Sequence, residues 1–152
     1  TMALGAPSLA WFYAAAWPVF TPPLTGEPRK MQRTRILLVE DQIVIGSAVS
    51  DLLEQKGYSV MGPHCSVSSA RQIAAITRPD VVLMDLRLRR DTSLAFGDEL
   101  TKQGIPVVYL IDGRKECDAV QTSGRRGVLK PLDARRLQSV LAEITASQLQ
   151  VA

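Results

Sequence analysis

Five short apolar runs, each followed by a segment with helical spacing, constrain this chain more than any other feature of its sequence. The runs are residues 36–39, 58–61, 81–84, 107–110 and 127–129. Most are continuous rather than alternating, as expected of strands covered on both faces of a parallel sheet. Between them the apolar period changes to that of a helix. Ile45, Ala48, Val49, Leu52 and Leu53 make the first apolar stripe, ended by Gly57. Val67, Ala70, Ile73 and Ala74 make the second, with Ser66 as its N-cap and Pro79 just beyond it. Residues 94–103 form the third, started by Thr92 or Ser93 and ended by Gly104-Ile-Pro106. Residues 115–123 are the weakest, with only Cys117, Ala119 and Val120 on the apolar face, whereas Leu137, Val140, Leu141 and Ile144 define a strong fifth helix. Five βα units with short connections predict an α/β fold: an open, doubly wound parallel sheet with right-handed crossovers and helices on both faces.

Composition narrows the functional classes. Of 152 residues, 46% are hydrophobic and 22% charged, the balance of a soluble globular protein. The net charge of +3 is carried by short, separated arginine groups (Arg87, Arg89, Arg90; Arg125, Arg126; Arg135, Arg136), with no stripe of nucleic-acid-binding type. Two cysteines, Cys65 and Cys117, and no CxxC exclude a disulfide framework and a four-cysteine zinc site. His64 beside Cys65 supplies two ligands at most and reads as a loop histidine. Residues 1–33 differ from the rest: an Ala/Pro-rich extension without a single charge before Glu27, holding Trp11 and Trp17. It lacks the positive start of a secretory signal. Pro7 and Pro18 leave only ten residues uninterrupted, too few for a membrane span. It reads as a tail or a partner-packing segment. Residues 34–147 then form the folded domain, and 148–152 a short C-terminal tail.

In open parallel sheets, ligands bind beyond the carboxyl ends of the strands. The first run ends in Glu40-Asp41, the third in Asp85 and the fifth in Lys130-Pro131. Three carboxylates brought to one edge repel one another unless a counter-charge is present. A hard divalent cation relieves that repulsion; Mg²⁺ is commonly held by one or two carboxylates with carbonyls and waters. The lysine is a compact charge suited to a phosphoryl oxygen. A cation, a lysine and a nucleophilic carboxylate are the parts needed to form an aspartyl phosphate. Each residue also has a plainer role: the acids as helix or loop caps, Lys130 as a surface lysine in a turn. Glycine-rich phosphate loops are absent, so nucleotide binding has no support.

Over residues 34–146 the chain resembles the receiver domain of bacterial response regulators. The resemblance rests on Ile36-Leu-Leu-Val-Glu-Asp41, Pro79-Asp-Val-Val-Leu-Met-Asp-Leu86, Ile105-Pro-Val-Val108 and Lys130-Pro-Leu-Asp133, in that order. The stretch from Gly62-Pro63 through Asp91-Thr-Ser93 to Gly104-Ile-Pro106 is most similar to short single-domain receivers of alphaproteobacteria. The resemblance implies a CheY-like, flavodoxin-like (βα)5 fold with strand order 2-1-3-4-5. It implies that Asp85 is the phosphoacceptor, served by a sensor histidine kinase or phosphotransfer protein. Mg²⁺ would be held by Glu40 (mostly through water), Asp41, Asp85 and the backbone carbonyl of Arg87. Lys130 would pair with the phosphoryl group, its bond to Pro131 being cis in many members. The output would be a protein partner or a homodimer, engaged through the fourth helix, fifth strand and fifth helix. A cytoplasmic signalling protein is expected, with no DNA-binding output domain, and with self-phosphorylation and dephosphorylation as its only chemistry.

Two positions depart from the family. Where members carry Thr or Ser at the end of strand four, this chain has Ile111, followed by Asp112-Gly113. The switch aromatic three residues before the lysine is Gly127. The usual hydroxyl-and-aromatic coupling therefore lacks both partners. This motivates an alternative, a degenerate receiver that binds partners regardless of phosphorylation. A phosphohydrolase of the haloacid dehalogenase type needs Asp-x-Asp at the first strand's end, whereas here Glu40 and Asp41 are adjacent.

Overall fold

The structure, a computed structural model, describes residues 33–88 and 93–149. The uncharged extension, Arg89, Arg90 and the last residues of the tail lie outside the described residues. Strands β1 (Arg35–Val39), β2 (Ser59–His64), β3 (Val81–Asp85), β4 (Val107–Ile111) and β5 (Arg126–Leu129) form one parallel sheet in the order β2-β1-β3-β4-β5. Helices α1 (Ile43–Gln55), α2 (Val67–Thr77), α3 (Ser93–Lys102), α4 (Arg114–Thr122) and α5 (Ala134–Leu149) alternate with them. The order expected from the resemblance is the order observed. α5 continues through Leu149, into the segment read as tail.

Continuous apolar strands follow from a core on each face. Leu37, Val82, Met84 and Tyr109 pack with residues of α2, α3 and α4, including Ala70, Phe96 and Leu100. Their strand neighbours Ile36, Leu38, Leu83, Val108 and Leu110 pack on the other side with Leu53 of α1 and Leu137 and Leu141 of α5. α4 buries only Cys117 and Val120, in keeping with its thin apolar face. Polar ties supplement packing on that side. Both nitrogens of an Arg125 fork donate to Asp98 Oδ1, at 2.9 and 3.1 Å, joining α3 to the loop before β5. Ser66 caps α2 as expected, its Oγ accepting from Ser69 N at 3.2 Å.

β2 differs from the sequence expectation, which ends it at Met61. It runs on through Gly62-Pro63-His64, and His64 pairs with Val39 after a register slip between Leu37 and Val39. The slip is a bulge. Gly62 makes it possible: its φ is +123°, and a Cβ there would lie 2.5 Å from the Leu38 carbonyl oxygen. The proline's missing N–H is tolerated because β2 is an edge strand. His64 is thus a strand-end residue rather than a loop histidine, with Nδ1 2.8 Å from Ser69 Oγ.

Candidate functional site

The carboxyl edge of the sheet carries the site, and ladder bonds fix the backbone of each contributing strand. Glu40 N donates to His64 O at 2.9 Å, Leu86 N to Leu110 O at 2.9 Å and Lys130 N to Ile111 O at 2.7 Å. Glu40, Asp85 and Lys130 therefore start from rigid positions on β1, β3 and β5. Their side chains meet. Lys130 Nζ donates to Glu40 Oε2 and to Asp85 Oδ2, each at 2.8 Å, and lies 3.8 Å from Asp112 Oδ1. The three side chains are only 7%, 0% and 2% exposed, so Lys130 is no surface lysine. The remaining oxygens are also engaged: Glu40 Oε1 accepts from Gln42 N at 3.1 Å and Asp85 Oδ1 from Arg87 N at 2.9 Å. The loop-capping role is thus real, and it coexists with the shared lysine. The Lys130–Pro131 bond is cis.

Two buried carboxylates, Glu40 and Asp85, share one ammonium. Burial pushes the Glu40 carboxyl above its ordinary range, against the lowering effect of its hydrogen bonds from Lys130 and Gln42; the negative charge of Asp85 adds to the rise. For Lys130, burial opposes the ammonium, but hydrogen bonds to Asp85 and Glu40 outweigh it and hold the group above the usual lysine value. Lys130 therefore stays cationic at any physiological pH. Asp41, half-buried at the rim, adds a third carboxylate. Ligand oxygens of Glu40, Asp41 and Asp85 all lie within 4.8 Å of one another. An all-oxygen, net-negative donor set fits a hard cation such as Mg²⁺.

With this geometry established, comparison with known proteins is decisive. The family model of the response regulator receiver domain matches residues 36–142, more than half of the chain. The chain belongs to the response regulator receiver family. Its place is in two-component signalling, and the family is one of phosphoacceptor signalling domains rather than turnover enzymes. Among curated relatives, the uncharacterized transcriptional regulatory protein YbdJ of Bacillus subtilis is 30% identical over 112 residues, covering 70% of this chain and 48% of YbdJ. The transcriptional regulatory protein PdtaR of Mycobacterium tuberculosis is 25% identical over 95 residues, covering 62% of this chain and 46% of PdtaR. The chain spans about half the length of the curated relatives it matches. Among solved structures, a CheY-like receiver from Methanospirillum hungatei superposes with a TM-score of 0.68 at 18% identity, covering 80% of this chain and all of that one. NtrX from Brucella abortus gives 0.67 at 26% identity, covering 78% of this chain and 28% of NtrX.

In this receiver, Ile111 ends β4 with its side chain 1% exposed, buried toward α4. A Cβ at Gly127 would lie 2.7 Å from Ile111 Cδ1, 3.4 Å from Val120 Cγ1 and 3.6 Å from Cys117 Sγ. The isoleucine occupies space that a side chain at 127 would need. The two departures are therefore one packing solution.

Of three supporting residues, Gly46 and Glu116 escape sequence reasoning, and Ser93 reads there only as a helix start. Gly46 of α1 sits so close to Pro63 that a Cβ would meet it at 2.8 Å, and to Glu40 Cγ at 3.4 Å, which seats α1 against the bulged end of β2. Ser93 Oγ, 1% exposed, donates to Leu86 O and anchors the start of α3 to the residue after Asp85. Glu116 pairs with the Arg87 guanidinium. Glu116 had a local signal too: it stands three residues after Gly113, where an acid favours a helix start.

Proposed function

We propose that Asp85 accepts a phosphoryl group from a phosphohistidine of a sensor kinase or phosphotransfer protein, and that this cytoplasmic receiver signals through protein contacts. One observation carries the reading: the buried Lys130 ammonium sits 2.8 Å from both Asp85 and Glu40. A structural ion pair needs one carboxylate; a lysine shared by two leaves a net negative, rigid cradle beside a nucleophilic oxygen. In the transfer, an Asp85 oxygen attacks phosphorus, an O–P bond forms and the donor's P–N bond breaks. Its electron pair stays on the imidazole nitrogen, which takes a proton from solvent. Lys130 is already held where a phosphoryl oxygen would arrive, so it can neutralise charge with little reorganisation. Arg87 N, 2.9 Å from Asp85 Oδ1, orients the acceptor. Glu40, Asp41, Asp85 and the Arg87 carbonyl would hold Mg²⁺, which would supply charge neutralisation to the equatorial oxygens.

The approach of the donor has a surface to use. A groove of about 490 Å³ beside Lys130 is lined by Val44, Ile45, Ala48, Pro131 and Leu132. Ile43 and Val44 at the start of α1 are 72% and 83% exposed. Among the described residues no helix is long and apolar enough to cross a membrane. The output face would be that of α4, β5 and α5, where a cleft of about 420 Å³ lies over Gly127 between Arg114 and Arg136.

The test is incubation of the whole chain with acetyl phosphate and Mg²⁺, read by intact mass. Native protein should gain one phosphoryl group, and Asp85→Asn should gain none while remaining folded. Labelling retained in that variant would assign the wrong acceptor. A second reading, a receiver whose binding ignores phosphorylation, is favoured by the packed Ile111–Gly127 contact. It predicts uptake, or beryllofluoride binding, without any change in conformation or association.

A further inference from the structure

We propose that Arg87 is a phosphoryl-binding residue that exchanges Glu116 for the phosphorylated Asp85, so that the Arg87–Glu116 ion pair acts as a latch between the acceptor and α4. The inference rests on Asp85 being the acceptor and names how its state would be read where the usual hydroxyl is missing.

Arg87 touches both ends of this connection. Its backbone N–H holds Asp85 Oδ1 at 2.9 Å, so its side chain springs from beside the acceptor. Its guanidinium is bound to Glu116 Oε1 across 29 positions of sequence. Glu116 is itself fixed. Its carboxylate folds back over Gly113, where any Cβ would collide with it. There it lies at the positive end of α4, where an anion is stabilised. A Cβ at 113 would oblige the Glu116 carboxylate to shift; with glycine there, Glu116 presents an anion to Arg87.

The latch is weak and its competitor is strong. Arg87's side chain is 69% exposed and Glu116's 38%, so solvent screens their attraction. A phosphoryl group on Asp85 carries roughly two negative charges and three acceptor oxygens, which an arginine fork binds in two places at once. Ile111 offers those oxygens nothing, so the guanidinium meets no competing donor from the end of β4. Loss of Arg87 from Glu116 loosens the start of α4. That helix is held by only two buried side chains, Cys117 and Val120, so it is the element least able to resist.

The experiment uses the whole chain with acetyl phosphate and Mg²⁺, reading phosphoryl uptake by intact mass and amide hydrogen exchange over residues 113–122. In native protein, phosphorylation should speed exchange at the start of α4 by about two- to five-fold, as loss of an exposed ion pair allows. Glu116→Gln and Arg87→Gln should both show the faster exchange before phosphorylation and little further change after it. The acyl phosphate separates them. Arg87→Gln should shorten its lifetime by exposing the phosphoryl group to water, Glu116→Gln should lengthen it by freeing Arg87, and Arg87→Lys should restore most of the native lifetime. Two purely structural partners would not shift the lifetime in opposite directions. Native uptake without a response in α4, or an Arg87→Gln protein that keeps its phosphorylation-dependent exchange, overturns the latch while leaving Asp85 as acceptor. No uptake in native protein removes both.

Discussion

Gly127→Ala is expected to destabilise this receiver, yet to stabilise it once Ile111 is shortened to Val. Gly127 lies in β5 with φ outside the left-handed region, so its backbone accepts alanine without strain. By itself the loss of unfolded-chain freedom would then stabilise the variant by about 0.4–1 kcal/mol. Against this, the new Cβ would sit 2.7 Å from Ile111 Cδ1, inside a core where Ile111 is 1% exposed. Overpacking of that kind costs about 1–3 kcal/mol, so the net change is a loss of roughly 1 kcal/mol. Ile111→Val removes Cδ1 and alone costs about 0.5–1.5 kcal/mol. In that background the Cβ at 127 would meet only Val120 Cγ1 at 3.4 Å and Cys117 Sγ at 3.6 Å, ordinary contacts. Alanine should then stabilise, which makes the coupling between the two sites about 1.5 kcal/mol or more, well beyond the scatter of independent mutations. Urea unfolding followed by far-ultraviolet circular dichroism, with unchanged m-values, gives all four corners of the cycle. If alanine at 127 has the same sign and size in both backgrounds, the two positions do not compete for one space.

Lys130→Met should cost about 3–5 kcal/mol in the same unfolding assay, because it strands two buried carboxylates without their cation; a loss below 1 kcal/mol would mean the ammonium is not their main counter-charge. Added Mg²⁺ should raise native stability by about 1.4 kcal/mol at ten times its dissociation constant, and by more in Lys130→Met; Asp41→Asn should reduce the gain. Arg125 beside Asp98 holds that carboxyl below the usual aspartate range. A depressed carboxyl contributes stability above its unfolded value and loses it as pH falls through the folded one. The stability gap between native protein and Asp98→Asn should therefore close in acid. Glu40 shifts the other way, contributing stability below its ordinary carboxylate range, but it is common to both proteins and cancels in that difference. A gap constant through the acid limb would show that the pair seen at 2.9 Å carries no weight in solution.

Much of the fold was legible because it is written in local periods. The five strands and five helices lie close to their apolar runs, since a strand covered on both faces must be apolar throughout. The failure at β2 has the same origin: Gly62-Pro63 is a stop signal locally, and only the approach of Leu38 O across the sheet turns it into a bulge. The meeting of Glu40, Asp85 and Lys130 followed from topology, because parallel strands end on one edge. What sequence could not supply was occupancy of space. Gly127 read as an absent side chain, whereas its neighbour on the adjacent strand had already filled the gap. Lys130 permitted a surface reading until its 7% exposure was known. Arg87 stands just after β3 and Glu116 in the first turn of α4, 29 positions apart, and no period relates them.

The same residues limit how strongly this receiver can respond. With Ile111 at the end of β4 and Gly127 in β5, the family's usual hydroxyl and ring are missing from these two positions, so under the proposed reading the acceptor's state would leave the site through charge. The route through Arg87 and Glu116 is an exposed ion pair, worth about 0.2–1 kcal/mol. A difference of that size shifts a two-state equilibrium by no more than about five-fold. Phosphorylation would then grade the disposition of α4 rather than gate it. A near-complete switch needs about four powers of ten, so under the proposed reading the remainder would come from a partner on the α4–β5–α5 face. The cleft over Gly127, flanked by Arg114 and Arg136, is where such a partner would add its share, and its affinity should differ between the two states by the same factor that phosphorylation shifts α4.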